Sequence, residues 1–306
     1  MAVLINQKDC SKTIQNLGLA DCILNNLRIT GMIATSPSWS IDLTSATLNL
    51  VAVNLLIQDG TFIPVNGAVE AVNNTPEATT EEYQGGIMSV VRNGLVQLTF
   101  KFLKGWAYAR ALYSMNSFQQ YKVLIVFEDG SIAGAVSGNI FSGFTLGMLN
   151  TGTFMHTDGS ASGYVNTTIQ LTSTDEYNLN SAVIDRSILG FDANGLLPIT
   201  DIVMTGRADA SENKVYFKAK FKTNQSQNLL GLAIANLKSY VEGVADTITA
   251  LSLSYNSTTE EYSYTPTATL VASDTVVVEL VDGAKDVALV GTKYYKGKTD
   301  TIVTVA

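Results

Sequence analysis

The most regular stretch of the chain is KVYFKAKFK, residues 214–222. Successive side chains of a β-strand point to opposite faces, so this alternation predicts a half-buried strand. One face carries Val215, Phe217, Ala219 and Phe221, and the other carries Tyr216 and the lysines Lys214, Lys218, Lys220 and Lys222. The lysine face has two interpretations: protection of an exposed sheet edge, or a surface that complements an acidic patch on a neighbouring copy.

Further strands, and two helices, are predicted before this segment. The pattern predicts strands at 61–65, 95–103, 121–127 and 164–172, and helices at 44–57 and 105–119. The first helix is expected to begin at Thr44 or Ser45 and to end at Asp59-Gly60. Its buried face is expected to carry Leu48, Val51, Ala52, Leu55 and Leu56, and Trp106 of the second helix is expected to pack in the core.

The composition changes near residue 240. Short runs at 247–255, 261–265, 267–271, 275–281, 287–290 and 301–305 are separated by turn residues, which predicts a small immunoglobulin-like β-sandwich over 239–306. Val276, Val278 and Leu280 are expected to face its core. The fold class is therefore mainly β with α+β features: a β-sandwich or barrel with one or two packed helices over 1–238, followed by this sandwich. Residues 228–242 fit either a helix or a strand plus linker.

Residues 66–84 form a polar stretch that predicts a long loop. Loops of this length are often functional. Four acidic residues lie in it, Glu70, Glu77, Glu81 and Glu82. We expect these four, together with Lys214, Lys218, Lys220 and Lys222, to form a contact between subunits. Reversing the charge of Lys218, Lys220 and Lys222 is expected to weaken oligomers and to leave the melting temperature of the monomer nearly unchanged.

Composition and charge restrict the class of function. The 306 residues are 46% apolar but only 15% charged. Depletion of charge is typical of surfaces that become buried in assemblies, and it also fits an ordinary β-rich protein whose strands are coated with Ser and Thr. The formal net charge is -8, so contacts with the phosphate backbone cannot be the main source of affinity for a nucleic acid. An acidic surface still allows DNA to slide past without binding.

The sequence contains no recognisable catalytic set, cofactor motif or metal site. His156 is the single histidine, in a Gly/Ser-rich turn where exposure is expected. Acidic pairs such as Glu81/Glu82, Asp175/Glu176 and Glu260/Glu261 do not resemble a calcium loop. Cys10 and Cys22 are expected to be reduced thiols. No signal peptide or membrane anchor is predicted, so synthesis in a cytoplasm is expected.

One long segment resembles a known class of proteins. It is TPEATTEEYQGGIMSVVRNGLVQLTFKFLKGWAYARALYSMNSFQQYKVLIVFEDGSIAG (75–134), followed by FSGFTLGML (141–149). Its order of elements and its glycine-marked turns resemble structural proteins of tailed bacteriophages, particularly those that infect Bacteroidales. A β-sandwich with a packed helix and an immunoglobulin-like C-terminal domain is also similar to some tail tube proteins. The helical region predicted before residue 60 departs from that plan.

The resemblance implies a virion structural protein that is synthesised in the host cytoplasm and is not an enzyme. Such a subunit would form a hexameric or dodecameric ring, or a tube, in a tail or head–tail connector. Its partners would be other virion proteins and DNA that passes through without sequence-specific binding. A capsid accessory or decoration protein and a carbohydrate-binding β-sandwich protein remain alternatives, and the C-terminal domain could contact host glycans or a neighbouring structural protein.

Overall fold

Extended strands dominate the structure. The computed structural model describes residues 27–306, apart from 46–47, 85, 118–119, 158 and 160–161. Strands make up 49% and helices 12%, in large curled sheets with few helices, which confirms the predicted mainly β class. The chain divides into two units, Met1–Leu196 and Leu197–Ala306.

The first unit contains thirteen strands and four short helices among its described residues. The strands are β1 (Ile29–Thr35), β2 (Ser40–Asp42), β3 (Phe62–Asn66), β4 (Glu70–Asn73), β5 (Thr79–Tyr83), β6 (Ile87–Arg92), β7 (Gln97–Phe102), β8 (Lys122–Phe127), β9 (Ile132–Ser137), β10 (Ile140–Ser142), β11 (Phe144–Thr151), β12 (Val165–Leu171) and β13 (Ser181–Ile184). The helices are α1 (Leu50–Gln58), α2 (Trp106–Tyr113), α3 (Thr174–Asn178) and α4 (Arg186–Leu189), and a 3-10 turn follows at Ala193–Gly195.

One sheet contains every strand of this unit except β5 and β6. Its main path runs β2-β10-β9-β8-β11-β12-β7-β4, with β1 between β3 and β8 and with β13 beside β9. The sequence of β8 is almost continuously apolar, and β1 and β8 are both buried along most of their length. The alternating sequence of β12 buries Val165, Thr167, Ile169 and Leu171, which confirms that predicted strand. Strands β5 and β6 pair with each other in a separate two-stranded sheet.

The second unit contains eleven strands. They are β14 (Thr200–Asp209), β15 (Lys214–Phe221), β16 (Asn224–Asn228), β17 (Leu237–Val241), β18 (Val244–Asp246), β19 (Ser254–Asn256), β20 (Glu261–Tyr264), β21 (Thr275–Leu280), β22 (Ala288–Val290), β23 (Lys293–Lys296) and β24 (Ile302–Val305), with a 3-10 turn at Ile234–Asn236. The sheet runs β18-β17-β21-β24-β14-β15-β20-β19, and β14 lies parallel to β24 and to β23.

A hydrophobic core lies in the second unit, and β15 and β21 both contribute to it. The apolar face of β15 is buried at Val215, Phe217 and Ala219, as the alternation predicted. Val276, Val278 and Leu280 of β21 are also fully buried, which confirms their predicted orientation. All six residues belong to the same hydrophobic cluster.

The structure divides the chain at a different place from the boundary expected at 238/239. The reason is pairing: β14 and β15 lie before residue 239, yet β14 pairs with β24 and β15 pairs with β20. These contacts place residues 197–238 in the second unit. Residues 228–242 form strands joined by a linker that contains the 3-10 turn Ile234–Asn236, and no α-helix. The immunoglobulin-like character of the C-terminal part stays a prediction.

Two predictions about the first unit are corrected. The expected helical region before residue 60 contains, in its described part, two strands and only the nine-residue helix α1. Asn49 begins that helix by accepting a hydrogen bond from the Ala52 amide at 2.9 Å, so neither Thr44 nor Ser45 is the N-cap. Asp59 and Gly60 end it as predicted, with Gly60 at a φ of 72°.

The buried face of α1 also differs from the predicted one. Val53 and Ile57 are buried, whereas Leu50, Val51 and Leu55 are exposed; Leu48 is buried as predicted but precedes the helix. The helix is apolar on several faces, so spacing alone could not select the one that contacts β3.

Candidate functional site

The lysine face of β15 is a basic stripe, but neighbouring carboxylates partly neutralise it. Lys220 lies 2.9 Å from Glu260, Lys222 lies 3.0 Å from Asp201, and Lys214 lies 3.8 Å from Glu212. Lys218, which is half-buried, has no ion pair with a described residue. The hydrogen bond from Lys220 lowers the pKa of Glu260 below its usual value. Most of this stripe is therefore already paired within one chain.

The stripe does not protect a sheet edge, because β15 is an inner strand. β14 pairs with it on one side, and β20 and β16 pair with it on the other. The edge-strand interpretation is therefore wrong. A contact between the stripe and a neighbouring copy would have to compete with the three internal ion pairs, and reversal of Lys220 and Lys222 would place carboxylates beside Glu260 and Asp201.

The predicted loop 66–84 contains strands, and its second half forms a hairpin with 87–92. We call residues 76–93 the arm, because β5 and β6 pair only with each other among the described strands. Every described side chain from Pro76 to Asn93 is exposed. Its base is fixed where the Asn74 amide donates to the Gln97 carbonyl at 2.8 Å and the Gln97 amide donates to Thr75 Oγ1 at 3.1 Å.

One face of the arm exposes two large apolar side chains. Met88 is 65% exposed and Val90 is 58% exposed. They pair across the ribbon with Glu82 and Thr80, respectively, so all four side chains share a face. The opposite face carries Glu81 and Tyr83, whose hydroxyl donates to Glu81 at 3.4 Å.

The four acidic residues predicted in this region lie in different places. Glu81 and Glu82 belong to β5, and Glu77 lies in the arm just before that strand. Glu70 begins β4 and lies 3.9 Å from Lys101. Thus the structure brings three of the four acids together on the arm, and it places Glu70 in the main sheet.

A second exposed surface lies on α2. Trp106, Arg110 and Tyr113 follow one another at spacings of four and three, which places them on one side of the helix, and the exposed Leu103 lies in the segment just before it. We call these four residues the α2 face. Trp106 is 69% exposed and Tyr113 is 63% exposed, so the prediction that Trp106 packs in the core is wrong. The buried side of the helix carries Ala109 and Leu112 instead.

Neighbouring side chains hold the α2 face in place. His156, which is exposed as predicted, lies edge-on to Trp106 at 5.8 Å between ring centroids and contacts Phe154 at 5.1 Å. Lys104 Nζ lies 4.3 Å from the ring centroid of Tyr108 and donates to the Asn66 carbonyl at 2.7 Å. Burial lowers the pKa of Lys104. The ring of Trp106 is therefore held against His156, and the segment before α2 is fixed by the contacts of Lys104.

A pocket of about 500 Å³ lies near α4 in the first unit. Asp185 lines it and begins α4 by accepting from the Ser187 amide at 2.7 Å, and hydrogen bonding lowers its pKa. Asp129 also lines it and accepts from the amide and hydroxyl of Ser131. Nearby Asp192 pairs with Arg186 at 3.3 Å. A helix cap, a turn and an ion pair thus account for the positions of these three carboxylates.

The described residues contain neither a candidate metal cluster nor a membrane-spanning helix. No group of three or more His, Cys, Asp or Glu side chains is placed there to hold a metal ion. No helix in that part of the chain is long and apolar enough to cross a membrane. Cys10 and Cys22 lie outside the described residues, as does Asp158 beside the His156 turn.

Sequence reasoning missed the α2 face, although two features of the sequence indicate it. Every charged residue between Glu82 and Glu128 is basic, whereas every charged residue between Arg28 and Arg92 is acidic. Arg110 belongs to the basic segment, and it lies between Trp106 and Tyr113 at helical spacing.

The chain was also compared with known proteins. No protein-family model matches it, and no curated protein is significantly similar to it in sequence.

Proposed function

We propose that the protein is a structural subunit that assembles with copies of itself into a ring or tube of a bacteriophage virion, in a tail or head–tail connector. The observation that carries the proposal is the arm, a two-stranded ribbon whose described side chains are all exposed. An isolated hairpin is at best marginally stable in water. Contact with another subunit would cover its apolar side chains and stabilise it.

The exposed apolar residues of α2 and the low charge support the same function. Trp and Tyr are enriched in protein interfaces, and charged residues are depleted from interface cores. A ring around a DNA channel also needs a surface that does not retain DNA, and a chain with a net charge of -8 meets that requirement. A structural role without catalysis is part of the proposal.

The proposal can be tested with the purified full-length chain. Light scattering after size-exclusion chromatography, over a range of protein concentrations, should give a defined oligomer larger than a dimer. Negative-stain electron microscopy should then show rings or tubes with a central opening. A protein that stays monomeric at its highest soluble concentration, and in the presence of linear double-stranded DNA, would contradict the proposal.

A further inference from the structure

We infer that the arm of one copy docks on the α2 face of the next copy. In this contact Met88 and Val90 lie against the aromatic side chains of the α2 face, and Glu82 faces Arg110. The inference rests on the proposed function, because it names the two surfaces through which the subunits assemble. Both surfaces are exposed within a single chain and belong to the same unit.

The two surfaces match in composition. The arm presents Met88 and Val90 beside the carboxylate of Glu82, and the α2 face presents Trp106 and Tyr113 on either side of a guanidinium group. Trp, Tyr and Arg are the residues that most often dominate binding energy at interfaces. Apolar side chains would meet aromatic ones, and one charge of each sign would meet near the centre.

The charges of the two surfaces are opposite. The arm carries Glu77, Glu81 and Glu82 against the single base Arg92, and α2 carries Arg110 and no acid. Neither Glu82 nor Arg110 has an ion-pair partner among the described residues. The lysine stripe differs, since three of its lysines are already paired with Glu212, Glu260 and Asp201. Of the two basic surfaces, the α2 face is therefore the one available to an acidic arm.

The contact would join two different surfaces of the same chain. When each copy gives its arm to the next copy and receives the arm of the previous one, the interface is head-to-tail and produces a closed ring or an open filament; reciprocal exchange of arms between two copies would instead produce a two-fold dimer. The inferred contact thus accounts for a ring or tube without requiring any second kind of subunit. Paired arms, by contrast, would produce a symmetric dimer.

A charge exchange tests the contact. Glu82→Arg and Arg110→Glu, each alone in the full-length chain, place like charges in every interface. Each is expected to raise the apparent dissociation constant of assembly about tenfold or more. The double variant Glu82→Arg/Arg110→Glu restores opposite charges and is expected to regain most of the assembly. Lys293→Glu, a reversal at an exposed lysine of β23 outside both surfaces, serves as the matched control and should assemble like the unmodified chain.

Met88→Asp tests the apolar part of the contact, with Val244→Asp as its control. Val244 is 69% exposed in the second unit, close to the exposure of Met88. Met88→Asp should prevent assembly, and Val244→Asp should not. Circular dichroism melts recorded below the concentration at which the unmodified chain assembles should coincide for all variants, so that lost assembly is not lost folding.

The outcomes separate this inference from the proposed function. Assembly of the unmodified chain that is indifferent to Glu82→Arg, Arg110→Glu and Met88→Asp overturns the inference and leaves the proposed function standing. Loss of assembly in both single reversals without recovery in the double variant also overturns it. An unmodified chain that never assembles overturns the proposed function, and the inference with it.

Discussion

The ammonium nitrogen of Lys220 lies 2.9 Å from a carboxylate oxygen of Glu260. Lys220 lies in β15, and Glu260 lies just before β20. These two strands are neighbours in the sheet of the second unit. The hydrogen bond stabilises the charged form of Glu260 and therefore lowers its pKa. Lys220, which the sequence shows only as one lysine of an alternating strand, thus forms an ion pair within its own sheet.

Replacing Lys220 with Met should destabilise the protein only while Glu260 is ionised. A folded-state pKa below the usual 4.5 means that the pair stabilises the fold above pH 4.5. This contribution disappears as the pH falls through the lower folded-state pKa. Urea unfolding should therefore separate Lys220→Met from the unmodified chain at neutral pH but not in strong acid.

Lys218→Met is the control for that experiment. Lys218 lowers the pKa of Glu260 only through its charge, as a minor contribution beside the hydrogen bond from Lys220. Its replacement should therefore have a smaller effect at neutral pH. Equal loss of stability in Lys220→Met at both pH values would instead indicate lost packing of the lysine stem.

The fragment 197–306 should fold alone, and the fragment 239–306 should not. The longer fragment keeps β14 and β15, whose Ile202, Met204, Val215 and Phe217 complete the core of the second unit. The shorter one would expose the partners of those residues. Circular dichroism should show a cooperative thermal transition for 197–306 only. A cooperative transition of 239–306 would place the boundary where the sequence pattern predicted it.

Replacing Tyr264 with Phe should cost about 1–3 kcal/mol of unfolding free energy. The hydroxyl groups of Tyr264 and Ser239 are buried and lie 2.7 Å apart, so removing one leaves the other without this partner. Denaturant titration should show this loss for Tyr264→Phe and for Ser239→Ala. The double variant should lose less than the sum of the two single losses, because neither partner is left unsatisfied.

The same tyrosine should make the fold sensitive to alkali. Burial raises the pKa of Tyr264 above its usual 10.0. Below pH 10 the hydroxyl is protonated in both folded and unfolded chains, and above pH 10 only the unfolded chain ionises freely. Stability should therefore fall as the pH rises above 10, and it should fall less steeply in Tyr264→Phe. Parallel curves for the two proteins would contradict this origin.

Gly94 should be needed for the position of the arm. A Cβ atom at this residue would lie 1.8 Å from the Pro76 carbonyl oxygen, so Gly94→Ala must move one side of the base. Limited proteolysis should cleave 76–93 faster in this variant, while the melting temperature changes little. Gly195→Ala is the matched control, because a Cβ atom there meets nothing within 4 Å. Unchanged proteolysis in Gly94→Ala would show that the base adapts.

Local patterns predicted the strands well where one face is buried and the other is not. The alternation in β12, β15 and β21 is an immediate consequence of strand geometry, so 164–172, 214–222 and 275–281 could be assigned from sequence. The chain's acidity and its low proportion of charged residues are likewise properties of composition.

Where a sequence pattern fits more than one structure, the sequence did not decide which structure forms. Helix α1 is apolar on several sides, so periodicity could not select Val53 and Ile57 as its buried face. The sequence predicts Trp106 of α2 in the core, although it lies on the surface. In both helices the buried side depends on which strands pack beneath it, and those strands are distant in sequence.

The sequence by itself determined the β-rich class, the alternating strands and the distribution of charge, because each depends on residues that are close along the chain. Tertiary structure decided the division after Leu196, the exposure of the arm and of the α2 face, and the ion pairs of the lysine stripe. The physical reason is pairing at long range. β14 and β15 join the second unit through contacts with strands that follow much later, and no local pattern specifies that choice.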